Sequence, residues 1–107
     1  MSDGIIELNS ESFDGATVKG KWIIDFWAEW CGPCVMMKPV FEAVAKEFKG
    51  KVNFAKIDID SNQDIAERFS VMSIPTILLI ENGEVVDSSV GYVSKDALNK
   101  KISETFS

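Results

Sequence analysis

Two cysteines three residues apart, Cys31 and Cys34 in Trp30-Cys31-Gly32-Pro33-Cys34, are the side chains best suited to chemistry in this 107-residue sequence. At the start of a helix, side chains three apart lie roughly 5 to 6 Å from each other. A disulfide needs a Cα separation of about 4.4 to 6.8 Å, so the pair can alternate between dithiol and disulfide with little backbone motion. Cys31 falls at the helix start, where unpaired N–H groups and the positive end of the helix dipole favour thiolate over thiol. It is the expected nucleophile. Cys34, one turn further in, is expected to be less exposed and to keep its proton until a mixed disulfide on Cys31 needs resolving. Gly32 lets a substrate backbone come close, and Pro33 suits a first helical turn because its φ is preset and no donor is needed there.

Cys-x-x-Cys is also half of a tetrahedral zinc site. The sequence has no histidine and no third cysteine, so a metal would have to bridge two copies of the chain; no metal is expected. Six residues before Cys31, Asp25 interrupts the apolar run Lys21-Trp22-Ile23-Ile24-Asp25-Phe26-Trp27-Ala28. A carboxylate in that setting is costly to ionise, so its pKa should rise and make it a proton acceptor for Cys34, directly or through water. Lys56 belongs to the strand expected beside Asp25 and shares parity with Phe54, so its ammonium is expected to pair with that carboxylate and moderate the rise, the alternative being an exposed lysine at the strand end.

The elements that must position these groups follow from patterning. Lys21 to Ala28 is apolar on both parities, as in a central strand buried on both faces. From Cys34 to Phe48, Met37, Phe41, Val44 and Phe48 recur at steps of three and four, a helix ending near Gly50 with Pro39 predicting a kink. Lys51 to Ile59 reads as a strand, and Asp60-x-x-Gln63 as a capping box opening a short helix through Phe69. Thr76 to Ile80 is a strand, Asn82-Gly83 a hairpin turn, and Glu84 to Val90 the antiparallel return. Ser94 caps a last helix with the stripe Leu98, Ile102 and Phe106. A strand near Ile5 to Leu8 and a helix from about Ser12 to Val18 complete an α/β sandwich of three layers, a mixed sheet with helices on both faces.

Composition bounds the reading. A 46% apolar content suits one domain spanning 1–107, with no run long enough to cross a bilayer. The net charge of −6 with scattered basic residues opposes nucleic acid and anionic membranes as partners. The acidic opening Met1-Ser2-Asp3-Gly4 lacks the basic start of a secretory leader, which predicts a cytoplasmic chain. There, a Cys pair reads as catalytic or metal-binding rather than as a staple.

Ile24-Asp25-Phe26-Trp27-Ala28-Glu29-Trp30-Cys31-Gly32-Pro33-Cys34 resembles the active-site segment of the thioredoxin family. Pro39, Ala55 to Asp60, Ile74-Pro75-Thr76, Asn82-Gly83 and Val90-Gly91 match further family landmarks in order, so the resemblance covers essentially the whole chain. It implies a thioredoxin fold of about five strands and four helices, and a general protein-disulfide reductase that needs no cofactor beyond its own Cys31-Cys34 disulfide. It also implies a monomer recharged by a thioredoxin reductase and acting on disulfide-containing client proteins. The Gly-Pro dipeptide differs from the Gly-His of protein disulfide isomerases, the Pro-Tyr of glutaredoxins and the Pro-His of the periplasmic oxidant, which places the chain on the reducing side. A cis Ile74-Pro75 bond is implied, exposing the Ile74 backbone to a substrate strand. Trp30, with Val71, Met72 and Ile74, would give an apolar docking surface, and Gly91 would let a backbone approach. Val35 stands where many relatives are basic, and Ser73 where glycine or alanine is familiar. An oxidant or isomerase of the same fold, and a binding module with incidental cysteines, are the competing functions.

Overall fold

A computed structural model describes residues 4–107. Its elements run β1 (Ile5–Leu8), α1 (Phe13–Thr17), β2 (Lys21–Trp27), α2 (Gly32–Glu47), β3 (Asn53–Asp58), α3 (Gln63–Arg68), β4 (Thr76–Glu81), β5 (Glu84–Val90) and α4 (Lys95–Thr105). The five strands form one sheet in the order β1-β3-β2-β4-β5. β1, β3 and β2 are mutually parallel, and β4 and β5 are antiparallel to their neighbours. β2 is therefore central, hydrogen-bonded on both edges, which explains why its sequence is apolar on both parities.

Alternation along the strands sorts the core into two layers. Trp22, Ile24 and Phe26 of β2 join Ala55, Ile57, Leu78 and Ile80 against Phe13 of α1 and Ile65 and Ala66 of α3. On the opposite face, Ile23, Phe54, Ile77 and Leu79 pack against Met37, Phe41 and Val44 of α2 and Leu98 and Ile102 of α4. Asp25 has the parity of Ile23 and thus lies on the α2 face. Aromatic edges reinforce that layer, with Phe54 5.3 Å from Phe41 and 6.4 Å from Phe48 between ring centroids.

Local signals hold at most element ends. Ser94 caps α4 by accepting the N–H of Ala97, and Asn82 and Gly83 both take positive φ in the β4-β5 turn, 49° and 85°. α2 begins at Gly32, earlier than the apolar stripe alone predicts, and runs through Pro39 without interruption. The capping box is a correction. α3 starts at Gln63 after Asn62, and no side chain caps it. Asn62 instead accepts the Ser10 N–H and donates to the Asp58 carbonyl, while the carboxylate of Asp60 is taken by a distant residue described below. No helix among the described residues is long and apolar enough to cross a membrane.

Truncating the ring at the centre of the α2-facing layer, Phe54→Ala, is expected to lower the unfolding free energy by about 3–5 kcal/mol. Urea denaturation followed by far-ultraviolet circular dichroism measures it; a loss under about 1 kcal/mol would contradict the packing described.

Candidate active site

β2 leaves the sheet at Trp27, and its extension through Ala28 delivers Cys31 to the N-cap of α2. Ala28, Cys31 and Cys34 form a small buried cluster flanked by Trp27, Ile59 and Ile74. The cysteines are joined as a disulfide with a Cα separation of 5.2 Å, inside the range anticipated from their spacing. The backbone N–H of Cys34 donates to the Cys31 sulfur at 3.2 Å. Cys31 is thus an N-cap whose acceptor is sulfur rather than oxygen. Negative charge on that sulfur is stabilised by the amide and by the helix dipole behind it.

The expected difference in exposure between the cysteines is absent: Cys31 is 5% exposed and Cys34 4%. The Cys31 sulfur lies against the loop before β4. There the Ile74-Pro75 bond is cis, and the Ile74 carbonyl oxygen lies 3.7 Å from the Cys31 sulfur. A disulfide sulfur carries no proton, so this is a packing contact here. Position at the helix tip, and not accessibility, distinguishes the two cysteines. Gly91 takes φ 88° and donates its N–H to the Pro75 carbonyl at 2.7 Å, tying the end of β5 to the same loop. A Cβ at Gly32 would meet nothing within 4 Å, so that position is open to an approaching chain.

Beneath the disulfide is a cleft of about 290 Å³, lined among others by Asp25, Cys34, Lys56, Trp27, Val35 and Phe41. Asp25 is buried, and its Oδ1 has no hydrogen-bond partner among the described residues. Burial pushes its carboxyl up to about 7, while the positive charge of Lys56 holds the rise back. Asp25 and Lys56 are register partners across β2 and β3. The contact anticipated between them is not an ion pair: the Lys56 ammonium lies over the Trp27 ring, 5.2 Å from its centroid, and acts on Asp25 only through space. The Trp27 indole N–H, also buried, has no partner among the described residues. Trp22 packs into the core.

Trp30 is exposed beside Cys31, and its indole N–H donates to Asp60 Oδ2 at 2.9 Å. Asp60 is the neighbour of Trp30 that sequence reasoning misses, since a carboxylate just past a strand reads as a helix cap and nothing local links it to a tryptophan thirty residues away. Val35, Met36, Met72, Val90 and Tyr92 are also exposed. Val71 and Ile74 are only partly open, packed against the core layer that faces α1 and α3.

A cysteine pair joined as a disulfide at a helix N-cap, at the end of a buried strand and beside a buried carboxyl, defines a thiol-disulfide oxidoreductase of the open-sheet α/β class. A family model of thioredoxin matches residues 4–104. A thioredoxin of Bacillus subtilis is 44% identical over 100 residues, which cover 94% of this chain and 96% of the relative. One from Staphylococcus saprophyticus is 43% identical over 98 residues, 92% of this chain and 94% of the relative. One from Chlorobaculum thiosulfatiphilum is 48% identical over 82 residues, 77% and 76% of the two chains. The chain belongs to the thioredoxin family, with its five-stranded mixed sheet and four helices.

The raised carboxyl makes stability depend on pH. Asp25 has an ordinary value of 3.8 and rises to about 7 in the fold. Between those values the folded chain holds a proton that the unfolded chain has released, so stability falls as pH rises through this window, and the whole cost is present above it. Asp25→Asn removes the cost. The variant should be more stable than wild type by up to about 4 kcal/mol near pH 8, with the gap closing near pH 4. Denaturant unfolding of the disulfide form at both pH values checks this; a gap independent of pH would show that the carboxyl is not buried in its neutral form.

Proposed function

We propose that the chain is a general protein-disulfide reductase in which Cys31 attacks, Cys34 resolves and Asp25 takes the Cys34 proton. The observation that carries the reading is the Cys34 N–H aimed at the Cys31 sulfur from 3.2 Å, because that donor stabilises the charge on which nucleophilic attack depends. Once the pair is reduced, the Cys31 thiolate attacks one sulfur of a client disulfide. A Cys31–client disulfide forms and the client's other sulfur leaves as thiolate. Cys34 then gives its proton to Asp25 and attacks the Cys31 sulfur. The Cys31–Cys34 bond forms, the client bond breaks, and the second client thiolate departs. Two electrons have moved from the chain to the client.

A carboxyl titrating near 7 suits the middle step, since it can accept a proton near neutrality and release it afterwards. Lys56 tunes that carboxyl from across the sheet. Trp30, Ile74, Pro75, Gly32, Pro33 and Gly91 frame the approach to Cys31, and the Ile74 backbone beside the cis bond offers a short edge for a client strand. The redox group is the chain's own disulfide. Electrons return through a thioredoxin reductase, the protein works as a monomer, and its compartment is the cytoplasm.

Cys34→Ser removes the resolving sulfur while leaving Cys31 at the helix tip. Incubated with a disulfide-bonded protein, it should accumulate a covalent adduct at Cys31 that a dithiol reductant releases, whereas Cys31→Ser should form none. Adducts at equal yield from both variants would refute the assignment of roles. Alkylation of Cys31 followed against pH should give a midpoint below the ordinary thiol value of about 8.5. In Asp25→Asn the resolving step should lose its inflection near 7; an unchanged profile would remove Asp25 from the mechanism.

A further inference from the structure

We propose that Met72 is an oxidant-responsive site: peroxide converts its thioether to the sulfoxide and thereby weakens docking of protein clients over Cys31. The inference rests on the reductase reading above and adds a means of regulating that same site. Cys31 is almost closed off, with its sulfur against the Ile74 carbonyl. A client must therefore bring its disulfide down onto the sulfur and lie against the surrounding rim. Met72 is on that rim. Only Ser73 separates it from Ile74, a reach of at most about 7 Å. It is also the most exposed large apolar side chain among the described residues, at 92%.

Thioether oxidation follows access, and the chain holds its own comparison in α2, where Met36 is 61% exposed and Met37 fully buried. In the step proposed, hydrogen peroxide transfers one oxygen to the Met72 sulfur. The O–O bond breaks, an S–O bond forms, the sulfur is oxidised by two electrons, and the peroxide leaves as water. The product replaces a flexible apolar surface with a strong dipole, which is costly to press against an apolar client without a donor to meet it. The disulfide state sharpens the selectivity. With Cys31 and Cys34 joined, neither offers a thiol to peroxide, so the disulfide form responds at Met72 while its redox centre is protected.

The test uses Met36→Leu, so that Met36 does not contribute, and compares it with the Met36→Leu, Met72→Leu double variant. Each is treated with hydrogen peroxide in its disulfide form, freed of oxidant, mapped by peptide mass spectrometry and then reduced with a dithiol. Reduction of insulin and of a small aromatic disulfide is measured against each variant's own untreated control. The expected result is one oxygen on Met72, none on Met37, and a loss of about five-fold in kcat/KM for insulin. The rate with the small disulfide should be unchanged, and the double variant should lose nothing. Full oxidation of Met72 with an unchanged insulin rate overturns the inference. So does an equal loss with both disulfides, an equal loss in the double variant, or the absence of oxidation at Met72. Failure of the untreated protein to reduce either disulfide would instead refute the reductase reading itself.

Discussion

The chemistry of this chain depends on one hydrogen bond, from the Cys34 amide to the Cys31 sulfur. A helix presents unpaired N–H groups at its start and normally satisfies them with an oxygen. Here the capping atom is the reactive one, so the interaction that stabilises the helix end also stabilises the thiolate. This requires the helix to begin at a fixed place relative to β2. The sheet provides that: β2 is hydrogen-bonded on both edges, and its end cannot shift without breaking pairings with β3 and β4. Pro33 in the first turn stiffens the junction further.

The second constraint is a carboxyl placed where carboxyls are disfavoured. Strand alternation turns Asp25 toward α2, into the cleft it shares with Cys34. Its unpaired Oδ1 represents stability given up in the fold. Lys56 stands opposite in register yet lies over Trp27 rather than on the carboxylate. A closed ion pair would have returned Asp25 to an ordinary acid, ionised throughout the neutral range. Held at a distance, the lysine tempers the effect of burial without abolishing it.

Around these two groups the loops set access rather than reactivity. The cis bond before Pro75 presents the Ile74 carbonyl to Cys31, Gly91 ties the end of β5 to Pro75, and Asp60 holds the indole of Trp30. Each of these contacts joins segments from different parts of the chain. Val35 and the exposed methionines give part of this surface an apolar, soft character.

What the sequence determined by itself is what short spacings control. Cysteines three apart at a helix start, alternation that leaves Asp25 the one acid in a buried strand, the Asn82-Gly83 turn and the Ser94 cap are all local. Each depends on chain geometry over a few residues, which is the same whatever surrounds it. The tertiary structure decided everything that needed strand order or a long return of the chain: that Asp60 serves Trp30 thirty residues away instead of capping α3, that Lys56 turns to Trp27, and that Ile74 reaches Cys31 across forty-three residues. It also left the two cysteines equally hidden, the first against a loop that its own neighbours in sequence do not determine. The physical reason is competition among partners. A polar or charged side chain takes the best donor or acceptor that folding brings within reach, and which one that is depends on packing of the whole sheet rather than on neighbours in sequence.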